Sequence, residues 1–229
     1  MDADHAAAPH PTREVAGRTG EHHADGSGAT LESVARAALL DAIVTEVAEV
    51  GYEAASVASI CRRSAVAQTL YFELFADKQA CFLAACRAFA DEILARVSAA
   101  SEGVRDWETG VRAGLDAFLT YLADHPSAAH ALLIEGLAAG PEALAIRDIA
   151  MRAFAGFLDT FPERDGEVRD RAALVSEASV GGIYGIVTRR IRDGKTSTLP
   201  ELSSSLSYFL LAPVVGCPRA RLELSTSAT

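Results

Sequence analysis

The sequence lacks any uninterrupted run of 18 apolar residues, although half of its 229 residues are hydrophobic. A helix needs about 20 apolar residues to cross a bilayer, so we expect no membrane span and no membrane partner. The opening stretch MDADHAAAPHPTREVAG also lacks the basic and apolar regions of a secretory signal peptide. These absences predict a cytoplasmic protein.

Signatures of catalysis and of metal binding are missing as well. Four of the six histidines fall in the first 30 residues without the spacing of metal ligands. No nucleophile and base are arranged as in a hydrolase, and no phosphate-binding loop is present. We therefore predict no enzyme, no catalytic residue, no metal site and no cofactor. The four cysteines form no Cys-x-x-Cys pair and are interpreted as small buried hydrophobic residues: Cys61, Cys81, Cys86 and Cys217.

Positive charge is scarce, because 21 lysines and arginines face 31 acidic residues and the net charge is −10. Such a balance argues against bulk affinity for nucleic acid. It does not exclude a small contact surface with its own local charge.

What the chain does have is helical periodicity. Leu40, Ile43, Val44 and Val47 recur at the spacing of one helix face, and Gly51 stands where a helix is expected to end. Alternation typical of strands competes nowhere, so the predicted fold class is all-α. The predicted helices with both ends given span 31–50, about 67–74, 107–123, 127–138, 141 to about 161, and 169–192. Three more are predicted from their caps: the second helix, capped by Ser56, the fourth, capped by Asp77, and a last helix that opens with a Thr198–Glu201 capping box and ends before Pro213.

The first three helices, of about 19, 8 and 8 residues with a tight turn near Ser64 and Ala65, have the proportions of a helix-turn-helix. Three aromatic residues crowd the third: Tyr71, Phe72 and Phe75. Eight residues do not form a stable helix alone. We expect Phe75 and one neighbouring ring to anchor this helix on the first, while the other ring faces DNA.

The stretch LDAIVTEVAEVGYEAASVASICRRSAVAQTLYFELFADKQACFLAA resembles the DNA-binding domain of the tetracycline-repressor (TetR) family of transcription regulators. The matching residues, in order and at the family's spacing, are Gly51, Tyr52, Ser56, Val57, Ile60, Val66, Phe75 and Lys78. The resemblance implies a three-helix DNA-binding domain over 31–78 and a helical ligand-binding and dimerisation domain over 79–213, between a disordered tail over 1–30 and a flexible tail over 214–229. It also implies a repressor that binds a palindromic operator in double-stranded DNA as a homodimer.

Several positions depart from the family pattern. The turn glycine is Ala65, the capping serine of the recognition helix is Ala67, and a common phosphate-binding threonine is Leu70. The family tyrosine is Phe72, and the neighbouring Tyr71 is left as a possible replacement for its hydroxyl. Residues 31–78 carry seven acids and four bases, so weak or conditional DNA binding is expected. A dimeric module that binds a small molecule or a protein, with weakened DNA affinity, is the alternative.

The candidate DNA-contacting residues differ in how strongly their positions favour a DNA contact over a structural role. Gln68 and Thr69 can reach base edges. Arg62 and Arg63 end the second helix, where the helix dipole explains them as well as a phosphate does. Lys78 gains nothing from that dipole, so a phosphate contact explains it better. The predicted set is Arg36, Ser56, Arg62, Arg63, Ala67, Gln68, Thr69, Tyr71, Phe72 and Lys78.

The resemblance places a ligand among the C-terminal helices, and their apolar stripes suggest a lipophilic one. The candidate ligand-binding residues are Phe89, Trp107, Phe118, Tyr121, Leu122, Leu133, Phe154 and Phe157. Three glycines in five helical residues cost about 1 kcal/mol each and indicate the close approach of another helix. The predicted dimer interface is Gly181, Gly182, Tyr184, Gly185, Leu206, Phe209 and Leu210.

Overall fold

A computed structural model of the chain describes residues 25–104, 106–159, 166–218 and 220. Within these ranges the backbone is helical apart from connecting loops, which confirms the predicted all-α class. The α-helices are α1 (Asp25–Val50), α2 (Val57–Ser64), α3 (Gln68–Leu74), α4 (Lys78–Ser101), α5 (Trp107–Asp124), α6 (Pro126–Leu133), α7 (Pro141–Leu158), α8 (Gly166–Arg192) and α9 (Ser203–Val215). Two 3₁₀ turns, Glu135–Ala139 and Thr196–Leu202, follow α6 and α8. No helix of the described part is long and apolar enough to cross a membrane.

The predicted caps of the N-terminal helices are confirmed. The Ser56 hydroxyl accepts the Ser59 backbone N–H at 3.1 Å, and the Ser59 hydroxyl closes the reciprocal box. The Asp77 carboxylate accepts the Ala80 N–H at 2.7 Å. Gly51 ends α1 with φ at +83°, in the left-handed region that favours glycine. Local hydrogen-bonding chemistry thus fixes where α2 and α4 begin.

Other predicted boundaries are wrong. Helix α1 begins at Asp25, six residues before Leu31, while residues 1–24 and 221–229 lie outside the described part of the chain. The Thr198 hydroxyl donates to the Lys195 carbonyl inside a 3₁₀ turn, so there is no Thr198–Glu201 capping box. Helix α9 continues through Pro213 to Val215, although the proline removes one backbone hydrogen bond from the helix.

Helices α1 to α3 enclose a core that extends beyond them. Leu39, Ile43 and Ile60 are fully buried there and pack with Phe82 of α4 and with Ala139 beside α7. This core therefore extends past residue 78, and the N-terminal helices pack directly against the start of α4.

A second core lies between α4, α5, α8 and α9 and holds Phe89, Leu119, Val187 and Leu206. The prediction for the cysteines holds for three of them, whereas Cys217 is exposed. Burial raises the pKa of the Cys81 thiol to about 11 and that of Cys86 to about 12. Both thiols therefore stay protonated at neutral pH and act as hydrophobic side chains.

Candidate nucleic-acid interface and ligand cavity

The turn between α2 and α3 is built on Ala65, whose φ of 56° and ψ of 24° are left-handed. Its neighbour Val66 donates its N–H to the Cys61 carbonyl at 3.2 Å, which closes the end of α2. A left-handed alanine costs on the order of 1 kcal/mol relative to glycine. The sequence prediction that an alanine replaces glycine at a positive φ here is confirmed.

Helix α3 presents a polar face with one aromatic ring. Ala67 caps it without any side-chain hydrogen bond. Gln68, Thr69 and Phe72 are exposed along the helix, and the Phe72 side chain is 55 % exposed. The edge of its ring meets Tyr71 at 5.4 Å between centroids. This face carries no cation, so α3 offers a binding partner hydrogen-bonding groups and an apolar ring but no positive charge.

Tyr71 requires a correction, because its side chain is 0 % exposed and does not face solvent. Its hydroxyl donates to the Asp77 carbonyl at 3.1 Å, and its ring lies 5.8 Å from that of Phe75. Tyr71 and Phe75 are therefore the anchors of α3, and Tyr71 does not replace the missing hydroxyl of Phe72.

Lys78 also requires a correction. Its ammonium group donates to the Tyr52 carbonyl at 2.7 Å and to the Ala55 carbonyl at 3.0 Å, and it lies 4.4 Å from the centroid of the Tyr52 ring. A cation at the N-terminal end of α4 is unfavourable to the helix dipole, and these carbonyls offset that cost. Lys78 thus fastens the loop between α1 and α2 rather than pointing at a phosphate.

The arginines near this surface are largely engaged within the protein. Arg63 donates to the Glu46 carboxylate at 3.0 Å and also to Glu49. A hydrogen bond from Ser59, and then those from Arg63, lower the pKa of Glu46. Arg36 lies 4.6 Å above the Phe75 ring. Arg62 is exposed at the end of α2.

An apolar cavity of about 590 Å³ lies between α4, α5, α7 and α8. Six predicted ligand residues line it: Phe89, Trp107, Phe118, Leu133, Phe154 and Phe157. Two do not. Leu122 is fully buried in the second core, and the Tyr121 ring packs against the Arg96 guanidinium at 4.8 Å and the His125 ring at 4.3 Å, outside this cavity.

The sequence reasoning missed the polar residues of the cavity, among them Arg147 and Tyr184. The Arg147 guanidinium donates to Asp148 Oδ1 at 2.7 and 3.0 Å and lies 5.7 Å from the Tyr184 ring centroid. The hydrogen bond to Asp148 raises the pKa of Arg147. The sequence did contain a sign of this placement, because Arg147 lies on the same helix face as Ala143, Ala150 and Phe154.

The 3₁₀ turn Glu135–Ala139 joins this cavity to the N-terminal helices. Gly136 and Leu137 line the cavity, while Glu135 Oε2 accepts the Tyr52 backbone N–H at 3.2 Å. The cavity wall and the hydrogen bond to the loop that Lys78 also holds therefore belong to adjacent residues of this turn, Gly136 and Glu135.

The residues predicted for a dimer interface divide into two groups. Leu206 and Leu210 are buried in the chain's own second core, and the Tyr184 hydroxyl donates to the Leu133 carbonyl beside the cavity. A Cβ on Gly182 would come within 3.2 Å of the Phe209 ring, so this glycine makes room for α9 of the same chain. By contrast, a Cβ on Gly181 or Gly185 would meet nothing within 4 Å, and Phe209 is partly exposed.

No group of three or more His, Cys, Asp or Glu side chains that could hold a metal ion occurs among the described residues.

Residues 39–85 match the family model described as bacterial regulatory proteins, tetR family. The resemblance to this family is therefore confirmed over the helix-turn-helix and the start of α4. None of the curated proteins compared with the chain matches it.

Solved structures resemble the whole fold. The fatty acid degradation regulator FadR from Bacillus halodurans superposes with a TM-score of 0.66 at 18 % identity, over 78 % of this chain and 98 % of that one. FadR from Bacillus subtilis, in complex with stearoyl-CoA, gives 0.61 at 17 %, over 79 % and 98 %. A TetR-like regulator from Rhodococcus sp. RHA1 gives 0.60 at 17 %, over 80 % and 97 %. At these identities the likeness establishes the fold: an N-terminal helix-turn-helix followed by a helical C-terminal domain.

Proposed function

We propose that this chain is a ligand-responsive DNA-binding transcription regulator, a repressor that binds a palindromic operator as a cytoplasmic homodimer. The observation that carries the proposal is the 3₁₀ turn Glu135–Ala139, which lines the cavity and also bonds to the helix-turn-helix unit. Such a contact gives a ligand in the cavity a direct route by which to change the position of the DNA-reading helix.

On the DNA side, Gln68 and Thr69 are the proposed readers of base edges, since both are exposed on α3. Phe72 lies on the same helix and supplies an apolar contact of the kind that thymine methyl groups accept. Arg62 is the proposed phosphate contact. Ser56 and Ala67 lie at the starts of α2 and α3, where backbone N–H groups can reach a phosphate.

Two copies of α3 must lie about 34 Å apart to read successive major grooves on one face of DNA. The proposed two-fold contact uses Gly181 and Gly185 of α8 and Phe209 of α9. The open space above both glycines permits a partner helix to approach closely, which explains why α8 tolerates glycine there.

The experiment that tests regulation is a titration of the full-length protein against the DNA upstream of its own gene at 50 and 200 mM salt. We expect a saturable complex of two chains per site that weakens with salt, because phosphate contacts release counterions. No complex at micromolar protein on any upstream fragment would overturn DNA binding. The second candidate function is a dimeric ligand- or protein-binding module with weakened DNA affinity. The pairing of Arg63 with Glu46 and Glu49 favours it, because these carboxylates occupy a cation that a phosphate would need.

The connection through Glu135 gives a separate prediction. Glu135→Ala removes the acceptor of the Tyr52 N–H, and one such bond contributes about 0.5–1.5 kcal/mol. With stearoyl-CoA as the probe ligand, we expect unchanged ligand affinity but a roughly two- to tenfold smaller ligand effect on DNA affinity. Binding of ligand and of DNA by fluorescence anisotropy measures both quantities.

The control for Glu135→Ala is Asp91→Ala, which removes an exposed carboxylate from α4. It should leave ligand affinity, DNA affinity and their coupling unchanged. If Glu135→Ala retains the full coupling, the signal reaches the DNA-reading helices by another route.

A further inference from the structure

The shape of the cavity follows from the helices that line it. Its wall runs along α4 from Cys86 to Ser101 and along α7 from Ala143 to Leu158. Each stretch covers about 22 Å at 1.5 Å per residue. The bonds from Gln79 of α4 to the Ala139 carbonyl and to Glu142 place the beginnings of the two helices side by side. The cavity is therefore a tunnel along both.

The tunnel is long for its volume. Its volume of about 590 Å³ lies within the range of cavities that hold one small-molecule ligand. The lining extends over about 22 Å of α4 and of α7. This elongated shape favours an extended chain over a compact ring system.

Charge distinguishes the two ends of the tunnel. Arg147 is the one cation in the lining formed by the described residues, and it lies five residues after Glu142, at the end near the DNA-reading unit. At the other end the Asp106 carboxylate caps α5 by accepting the Thr109 N–H at 2.8 Å, beside Trp107. An anion is attracted to the Arg147 end and repelled from the Asp106 end.

We propose that the tunnel binds an unbranched long-chain acyl group that carries a negatively charged head, with the head at Arg147 and the end of the chain at Trp107. The proposal deepens the proposed function, because it names the ligand class of the same cavity. The wall of about 22 Å from Cys86 to Ser101 accommodates at most roughly 18 carbons at about 1.25 Å per carbon.

Arg147 is able to exchange its present partner for such a head group. Its ion pair with Asp148 is partly exposed on both sides, and pairs of this kind are weak and easily replaced. The planar guanidinium can then hold a carboxylate through two hydrogen bonds while the Tyr184 ring packs beside it. Free fatty acids and their coenzyme A thioesters share this chemistry, and the experiment separates them.

Trp107 is the single tryptophan of the chain and lines the far end of the tunnel, so its fluorescence reports occupancy without a label. The full-length protein is titrated with hexadecanoate, hexadecanoyl-CoA, hexadecanol, methyl hexadecanoate and resorcinol. We expect a saturable change in emission with the acid, the thioester or both, and tenfold or greater weakening with the two neutral lipids. Equal affinity for the neutral lipids, or tight binding of resorcinol alone, would overturn the proposal.

Arg147→Gln tests the head-group site. Loss of a charged hydrogen-bond donor should weaken the anionic lipid by roughly 10- to 100-fold and leave the neutral lipids unchanged. The matched control is Arg152→Gln, five residues along α7 on an exposed position. If both variants bind hexadecanoate as the unmodified protein does, Arg147 does not hold the head.

Gly110→Leu tests the far end of the tunnel. A Cβ there would lie 3.7 Å from the nearest side-chain atom, so the backbone accepts the substitution while the leucine fills the end of the tunnel. The preferred chain should shorten by about three to four carbons, the extended length of a leucine side chain. Gly156→Leu, where a Cβ would meet nothing within 4 Å, should leave the preference unchanged. An unaltered preference in both variants would contradict this orientation.

These measurements use no DNA, so the ligand class and the regulatory function fail separately. Acyl binding without any effect on DNA binding would refute ligand-responsive regulation and would not affect the proposed ligand class. Regulation by another class of compound, with no acyl binding, would refute the ligand class and support the regulatory function.

Discussion

Tyr71→Ala is expected to lower the free energy of unfolding by about 3–5 kcal/mol, the range for removing a large side chain from a close-packed core. The ring is 0 % exposed beneath α3, and its hydroxyl holds the Asp77 carbonyl that opens α4. Both contacts are lost together, and seven residues of α3 do not hold their helix without them. Thermal and denaturant unfolding followed by circular dichroism measure the loss.

The neighbouring ring supplies the control. Phe72 is 55 % exposed, so Phe72→Ala should change the free energy of unfolding by less than about 0.5 kcal/mol. Any DNA affinity measured on the upstream fragment should nevertheless fall, because the apolar contact of α3 is gone. Equal destabilisation by the two substitutions would show that α3 is not seated as the structure has it. The conservative substitution Tyr71→Phe keeps the ring and removes only the hydroxyl, so it measures how much the hydroxyl contributes to the free energy of unfolding.

The same pair of residues shows how far sequence reasoning reaches. The crowding of aromatics on a helix too short to be stable predicts that some of them are anchors. It does not identify which, because adjacent residues on a helix point about 100° apart and the apolar pattern alone accepts either. The contact of Tyr71 with Phe75 and the exposure of Phe72 decide it, and both depend on how α3 lies against α1.

Caps and turns were predictable where the chemistry is local. Ser56 and Asp77 bond to backbone N–H groups three residues on, and Ala65 takes the left-handed conformation that its place between two helices requires. The bond from Glu135 to Tyr52 joins residues 83 apart in sequence. Pairs that distant have no periodic signature, so the connection between the cavity and the helix-turn-helix could not be predicted from the sequence.

Arg147 lies between these cases. Its position on the apolar face of α7 follows from the spacing of the neighbouring apolar residues. An arginine there could equally pack the methylene groups of its side chain on an apolar surface while its guanidinium reaches water. The elongated tunnel and the acid at its far end are properties of four helices together. A specific ligand class became arguable only once those helices were in place.

Lys78→Met is expected to lower the free energy of unfolding by about 2–4 kcal/mol, since each hydrogen bond to a charged group contributes about 1.5–3 kcal/mol. Methionine fills a similar volume but leaves the carbonyls of Tyr52 and Ala55 without their donor. If Lys78 contacted a phosphate instead, its loss would reduce the salt dependence of DNA binding by about 0.9 per subunit and leave stability unchanged.

Arg62→Gln is the matched control for Lys78→Met, and the reverse pattern is expected of it. Arg62 is exposed at the end of α2, so its loss should change the free energy of unfolding by less than about 0.5 kcal/mol. The slope of log affinity against log salt should fall by about 0.9 per subunit. The two variants therefore assign the scarce positive charge of this surface, one cation to the fold and one to DNA. An unchanged stability for Lys78→Met with a reduced salt slope would reverse that assignment, and Lys78 would then have to leave its carbonyls when DNA binds.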